Sequence, residues 1–335
     1  MTFSNTLSPD NESALKPAHR IGIFAAGWNE RIAAILPSRW RISALLLCGW
    51  AVSIASGAEP DRLLNLFTRE GGGSTHFYAQ NLAAGTVTTT FEMKLVNLAA
   101  TTNFPYTTDL AANQTLEVFT LSPVKTNRVS RYRCMNSATL GSAAAVHDDA
   151  HVYDLPYAAG SAFRVSQGYH GAFSHSGPDE YAIDWAMPVG TPVCAAREGV
   201  VVKSKDDEDT GGPHRKFQSR ANCILIEHSD GTIGIYGHLA KGGNKVKAGD
   251  RVKAGDEIGL SGKTGFVEGP HLHFAVFKTR NGSERISLPV KFRTSDNQAL
   301  TLASGREYRA PLRAEQVKDD APVTTASRQK KPGSS

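Results

Sequence analysis

Between residues 59 and 292, apolar residues almost never recur at helical spacing. They alternate instead, in runs such as THFYAQNL, TVTTTFEMKLVNL, TLEVFTLSPV and VSRYRCM, separated by turn residues. Successive strand side chains face opposite sides, so alternation buries one face of a sheet. Threonine and aromatic residues favour that half-buried surface. The chain's 31 glycines and 16 prolines supply the turns. A chain of 335 residues allows about two domains. The pattern therefore predicts an all-β protein. A small β-sandwich of about seven strands spans 59–150, and a linker covers 151–157. An antiparallel-sheet domain follows over 158–292, and the tail 293–335, ending in TTASRQKKPGSS, reads as largely disordered.

The first 58 residues read as a leader. Arg39-Trp40-Arg41 precede ISALLLCGWAVSIA and then Ser56-Gly57-Ala58, the basic, apolar and small-residue order of a secretory signal. The apolar run is too short for a comfortable membrane span. The expectation is a periplasmic or secreted protein with no stable membrane span after processing. Cys134, Cys194 and Cys223 remain, and Cys194 and Cys223 are able to pair if their strands are neighbours. The net charge of +5 suits an anionic surrounding. No basic arm with interleaved aromatics argues for nucleic acid.

Three short motifs carry the chemistry: SHSGPDEYAIDW (174–185), YGHL (236–239) and GPHLHF (269–274). His and Asp are both zinc ligands, and a catalytic zinc takes three protein ligands and leaves one position open. His271 and His273 face the same side of a strand, so one is able to bind metal while the other handles protons. The chain lacks H-E-x-x-H, which excludes a helical zincin site. GLSGKTG (259–265) lacks the spacing of a phosphate-binding loop and reads as a tight hairpin region. HDDAH (147–151) is a candidate second metal site or active-site cap, or a polar linker. The doubled VKAGDR and VKAGDE (246–257) lack the presented lysine of a biotin or lipoyl carrier and read as scaffold.

From about Ala162 to Pro289 the chain resembles the M23 family of zinc metallopeptidases, the LytM or lysostaphin type. The resemblance rests on FRVSQGYHGAFSH, YAIDWAMPVGTPVCAAREGVVV, NCILIEHSDGTIGIYGHL, VKAGDRVKAGDEIGLSGKTG and GPHLHFAVF, in the family's order. It implies zinc (Zn2+) held by His175, Asp184 and His273, with His238 and His271 as the non-ligand catalytic histidines. It also implies an exported endopeptidase acting on peptide stems or cross-links of peptidoglycan. Tyr169 or Tyr236 is a candidate donor to the developing oxyanion. One departure is visible. The family's usual first motif is H-x-x-x-D, whereas His175 and Asp184 stand nine apart, with Asp179 and His170 as alternative ligands. A member of another class, a catalytically inactive LytM-type activator or scaffold for cell-wall amidases, usually lacks one of these residues. The segment 158–292 is expected to hold the whole catalytic machinery.

Overall fold

The computed structural model describes residues 29–35 and 62–312. The signal-like segment falls outside the described residues, as does the end of the tail. Strand β1 (Asn29–Ile35), inside the stretch read as leader, pairs antiparallel with the edge of the first domain.

That domain is a sandwich. One sheet holds β1, β4 (Val87–Val96), β6 (Tyr106–Leu110) and β8 (Ser130–Leu140), in the order β1-β8-β4-β6. The other holds β2 (Leu64–Gly71), β3 (Ser74–Asn81), β5 (Leu98–Ala100) and β7 (Thr115–Pro123), in the order β2-β3-β7-β5. Gly72 and Gly73 make the two-residue β2–β3 turn with φ of 57° and 77°, the sign such a hairpin needs. Burial alternates along β3, so Phe77 and Ala79 point inward while His76 and Tyr78 face out. Phe77 stacks on its sheet neighbour Phe119 at 4.6 Å, and Phe91 of the opposite sheet meets the edge of Phe119 at 5.4 Å, which joins the sheets.

The second unit contains β9 (Val152–Asp154), β10 (Ala162–Gln167), β11 (Ile183–Ala186), β12 (Pro192–Cys194), β13 (Gly199–Lys205), β14 (Gly211–Gly212), β15 (Cys223–Glu227) and β16 (Ile233–Gly237). It continues through β17 (Arg251–Val252), β18 (Glu257–Leu260), β19 (Gly265–Phe266), β20 (His271–Asn281), β21 (Glu284–Leu288), β22 (Lys291–Arg293), β23 (Ala299–Leu300) and β24 (Glu307–Arg309). The main sheet runs β17-β13-β15-β16-β20-β11-β10-β24, with β21 also on β20. Each half of the VKAGD repeat closes a turn in the same way. Asp250 accepts from the Lys247 N–H and Asp256 from the Lys253 N–H, so the repeat is scaffold.

Strand β20 shows how the two faces are used. Leu272, Phe274 and Val276 enter one core with Trp185, Tyr236, Tyr153 and Phe292. His271, His273, Ala275 and Phe277 point the other way. Ala275 and Phe277, with Val202, Leu225, Ile233 and Ile235, share a core with the sandwich. The sandwich therefore covers one end of this face and leaves the histidine end to the site.

Two boundaries read from sequence need correction. The stretch 151–157 is not a linker: β9 pairs in parallel with β22, and Tyr153, Leu155 and Tyr157 are buried in the core. Their apolar stripe is short and follows a charged run, which hid it. The tail begins later than 293, because β24 pairs with β10 and Leu302 and Ala310 are buried. Cys194 lies on β12 of the two-stranded β12–β18 sheet and Cys223 on β15 of the main sheet, so their strands are not neighbours.

HDDAH lies at the Glu227–Ile233 end of the β15–β16 hairpin, whereas Gly237 leads to the YGHL histidine at the other end. It caps no metal site. Beside it, Arg197 donates to Asp230 at 2.7 Å and to the Tyr153 hydroxyl at 3.2 Å. His228, 3 % exposed, packs edge-on to Tyr153. Burial, and then the Arg197 guanidinium, push the His228 imidazole down to about 3. The unfolded chain then binds a proton the native state refuses, so stability falls as pH drops below the unfolded value of about 6.5. The expected slope from this group is about 1.4 kcal/mol per pH unit down to pH 3. Denaturant unfolding at pH 7 and pH 5 measures it. An unchanged slope in His228→Gln would refute the assignment.

Candidate metal centre

His175 follows a turn in which its N–H bonds to the Gly171 carbonyl at 3.0 Å. Its ring Nδ1 donates to the Gly168 carbonyl at 2.8 Å, which turns Nε2 inward. Nε2 stands 3.1 Å from Asp184 Oδ2 but, with the ring proton on Nδ1, has none to donate, so it is buried without a hydrogen-bond partner. Asp184 of β11 is the direct cross-strand neighbour of His273 of β20. His273 Nδ1 lies 2.9 Å from Asp184 Oδ1. The donor atoms of His175, Asp184 and His273 lie within 4.8 Å of one another, and no other such group of three occurs among the described residues. Two imidazole nitrogens and one carboxylate oxygen are the donor kinds that zinc takes, so the chemistry of the set suits such an ion. Burial alone would raise the Asp184 carboxyl. The facing imidazoles of His271, His175 and His273 outweigh it and hold the group well below the usual carboxylate range.

The two remaining histidines stand beside this triad. His238 follows β16 with φ of 63°, which swings its ring toward β20. Its Nδ1 donates to the Thr264 carbonyl at 2.7 Å, and His271 Nδ1 donates to the Gly269 carbonyl at 2.9 Å. Both rings thus present Nε2. Their centroids are 4.6 Å apart, and His238 is 5.6 Å from His273. Burial, then the neighbouring His271 and His273, hold the His238 imidazole well below its usual value, so it is neutral.

The tyrosines do not join the site. Tyr236 is fully buried and its hydroxyl accepts from the Ala196 N–H at 2.7 Å. It faces Phe274, on the opposite side of the sheet from His273. The Tyr169 hydroxyl donates to the Val290 carbonyl and accepts from the Val290 N–H, both at 2.8 Å. Neither hydroxyl is available to an oxyanion, which corrects the expectation. His170 is 61 % exposed and pairs with Glu180 at 3.2 Å, away from the triad.

Several contributors left no signal in the sequence. The Gly168, Thr264 and Gly269 carbonyls orient rings, and a carbonyl carries no residue identity. Gln167 Nε2 donates to Asp184 Oδ2 at 3.2 Å and to Ser174 Oγ at 2.9 Å. GLSGKTG supplies the loop behind His238, where a Cβ on Gly262 would meet the His238 carbonyl oxygen at 2.7 Å. Paired strands β14 and β19 join the loop after β13 to this one. Phe173 stacks on Phe266 at 4.9 Å, with the Arg215 guanidinium 5.8 Å from the Phe266 ring centre.

A buried His/Asp/His triad flanked by two imidazoles is a donor set able to hold a metal ion. Residues 179–285 match the model of peptidase family M23, and the chain carries a peptidase domain of that family. It is 34 % identical over 143 residues to peptidoglycan DD-endopeptidase ShyA of Vibrio cholerae, covering 38 % of this chain and 30 % of that protein. It is 43 % identical over 95 residues to an uncharacterized metalloprotease of Buchnera aphidicola, covering 28 % of this chain and 22 % of that one. The chain thus spans under a third of the length of these relatives. The lysostaphin catalytic domain of Staphylococcus simulans aligns at 29 % identity with a TM-score of 0.27, over 38 % of this chain and 87 % of that one. No helix among the described residues is long and apolar enough to cross a membrane.

Proposed function

We propose that this protein is an exported, zinc-dependent endopeptidase that hydrolyses peptide bonds in peptidoglycan stems or cross-links. One observation carries the reading: His175, Asp184 and His273 converge on one point beside two imidazoles that both offer Nε2. The relatives named as peptidoglycan DD-endopeptidases support the substrate class. The signal-like order of residues 39–58 supports export to the periplasm or medium. The scaffold alternative has no missing residue to recommend it.

Bound zinc would supply Lewis acidity toward the scissile carbonyl and a lowered pKa for water. His238, neutral and fixed through Nδ1, takes the proton of the attacking water on Nε2. His271 faces the same space and steadies the carbonyl oxygen as its charge grows. The C–N bond breaks as the proton passes to the leaving amine. Asp184 stays ionised throughout, with Gln167 on its second oxygen.

Digestion of purified sacculi, read by mass spectrometry, tests this. The protein is expected to release peptide fragments, to stop with chelator and to recover with zinc. His175→Ala should lose both metal and release. A wild-type protein that is folded, free of stoichiometric zinc and inert on sacculi would refute the enzyme reading in favour of a scaffold.

A further inference from the structure

The two ring nitrogens of His273 face two different carboxylates. Nδ1 lies toward Asp184, whereas Nε2 is 3.9 Å from Asp179 Oδ1 and is buried without a hydrogen-bond partner. Asp179 closes the short 3-10 turn Gly177–Asp179, inside the long spacer between His175 and Asp184. Arg285 of β21 donates to Asp179 Oδ1 at 2.5 Å, and both side chains are nearly buried. The guanidinium also sits 4.8 Å from the centre of Phe277, which shares a face of β20 with His273. A second tie fixes the spacer to the same strand: the Tyr181 N–H donates to Ser287 Oγ at 3.1 Å.

We propose that Asp179, held by Arg285, is the positioning carboxylate of His273: it accepts the Nε2–H when Nδ1 serves as a metal ligand. The inference rests on the zinc reading above and gives the nine-residue spacing a purpose. A metal on Nδ1 leaves the ring proton on Nε2, and a buried N–H requires an acceptor. At 3.9 Å the pair is beyond the hydrogen-bond range of about 2.7–3.2 Å. No other acid is paired with this nitrogen among the described residues, so closing that gap is the route to satisfaction. Acceptors behind ligating imidazoles fix the tautomer and raise ligand basicity. His175 already has one in Gly168. Asp179 is not itself a ligand, because it lies on the Nε2 side of the ring and its oxygen is committed to Arg285.

Zinc affinity of the full chain, measured by competition with a chromophoric chelator, tests the role without relying on activity. Asp179→Asn is expected to weaken zinc about 10–100-fold. It should also shift the visible absorption of the cobalt-loaded protein, and Asp179→Glu should restore part of both. A folded Asp179→Asn protein with wild-type zinc affinity overturns the proposal. So does one that loses metal as completely as His175→Ala, which would make Asp179 a ligand. If Asp179→Asn does not fold, Asp179→Glu carries the test: it keeps a carboxylate for Arg285 but displaces it, so weakened zinc supports the role and unchanged zinc overturns it. Retention of zinc by His175→Ala would instead refute the metal reading itself.

Discussion

Alanine at His238 or His271 is expected to lower turnover on peptidoglycan fragments by about 10²–10⁴-fold while leaving the bound metal in place. Both rings point Nε2 into the site because their Nδ1 atoms are tied to backbone carbonyls of Thr264 and Gly269. Neither belongs to the converging triad. In the proposed mechanism, loss of either removes a proton-handling group and leaves the three proposed ligand side chains untouched. His238→Ala is the cleaner case, since burial keeps that imidazole neutral and suited to accept a proton. Metal content by elemental analysis and turnover by fragment release are measured on the same preparations. Normal turnover in both variants would refute the catalytic assignment, and loss of metal in His271→Ala would make that residue a ligand.

A fragment limited to residues 158–292 is expected not to fold, contrary to what the sequence suggests. It omits Tyr153, Leu155 and Tyr157 from one side of the core, and Leu302 and Ala310 from the other. Emptying even one large buried site costs about 2–5 kcal/mol, and a domain's whole stability is about 5–15 kcal/mol. The cut also removes β24, which pairs with β10 just before the Gly168 carbonyl that orients His175. Deleting the sandwich as well uncovers Val202, Leu225, Ile233, Ile235 and Phe277 on the sheet. Circular dichroism, proteolysis and zinc content compare this fragment with one spanning 62–312. A folded, zinc-loaded 158–292 fragment would sink the argument that these flanking strands belong to the domain.

The all-β class was legible because strand periodicity is local. THFYAQNL carries its own inside and outside, and β3 follows it residue by residue. The H-x-H pair was legible for the same reason, as residues two apart on a strand share a face. The long spacer was legible only as an irregularity. Its Ser-Gly-Pro-Asp turn was predictable, but the use of Asp179 depends on Arg285, 106 residues away. The tyrosines went wrong because proximity in sequence to a motif histidine does not say which side of the sheet a ring faces. Tyr236 precedes His238 by two, and the positive φ at His238 breaks the alternation that would have put both on one side.

Residue type and local spacing by themselves determined that the chain forms strands and that imidazoles and a carboxylate are present in metal-binding kinds. These properties depend on neighbours a few positions away. Only the tertiary structure decided that Asp184 sits opposite His273, which carbonyls aim the rings, and that residues 151–157 and 294–312 belong to the peptidase core. It also decided that the sandwich covers one end of the main sheet and leaves the other to the His/Asp/His triad. Each of these is a contact between segments far apart in the chain. Their partners are chosen by shape and burial once the sheets have formed, and no local pattern records that choice.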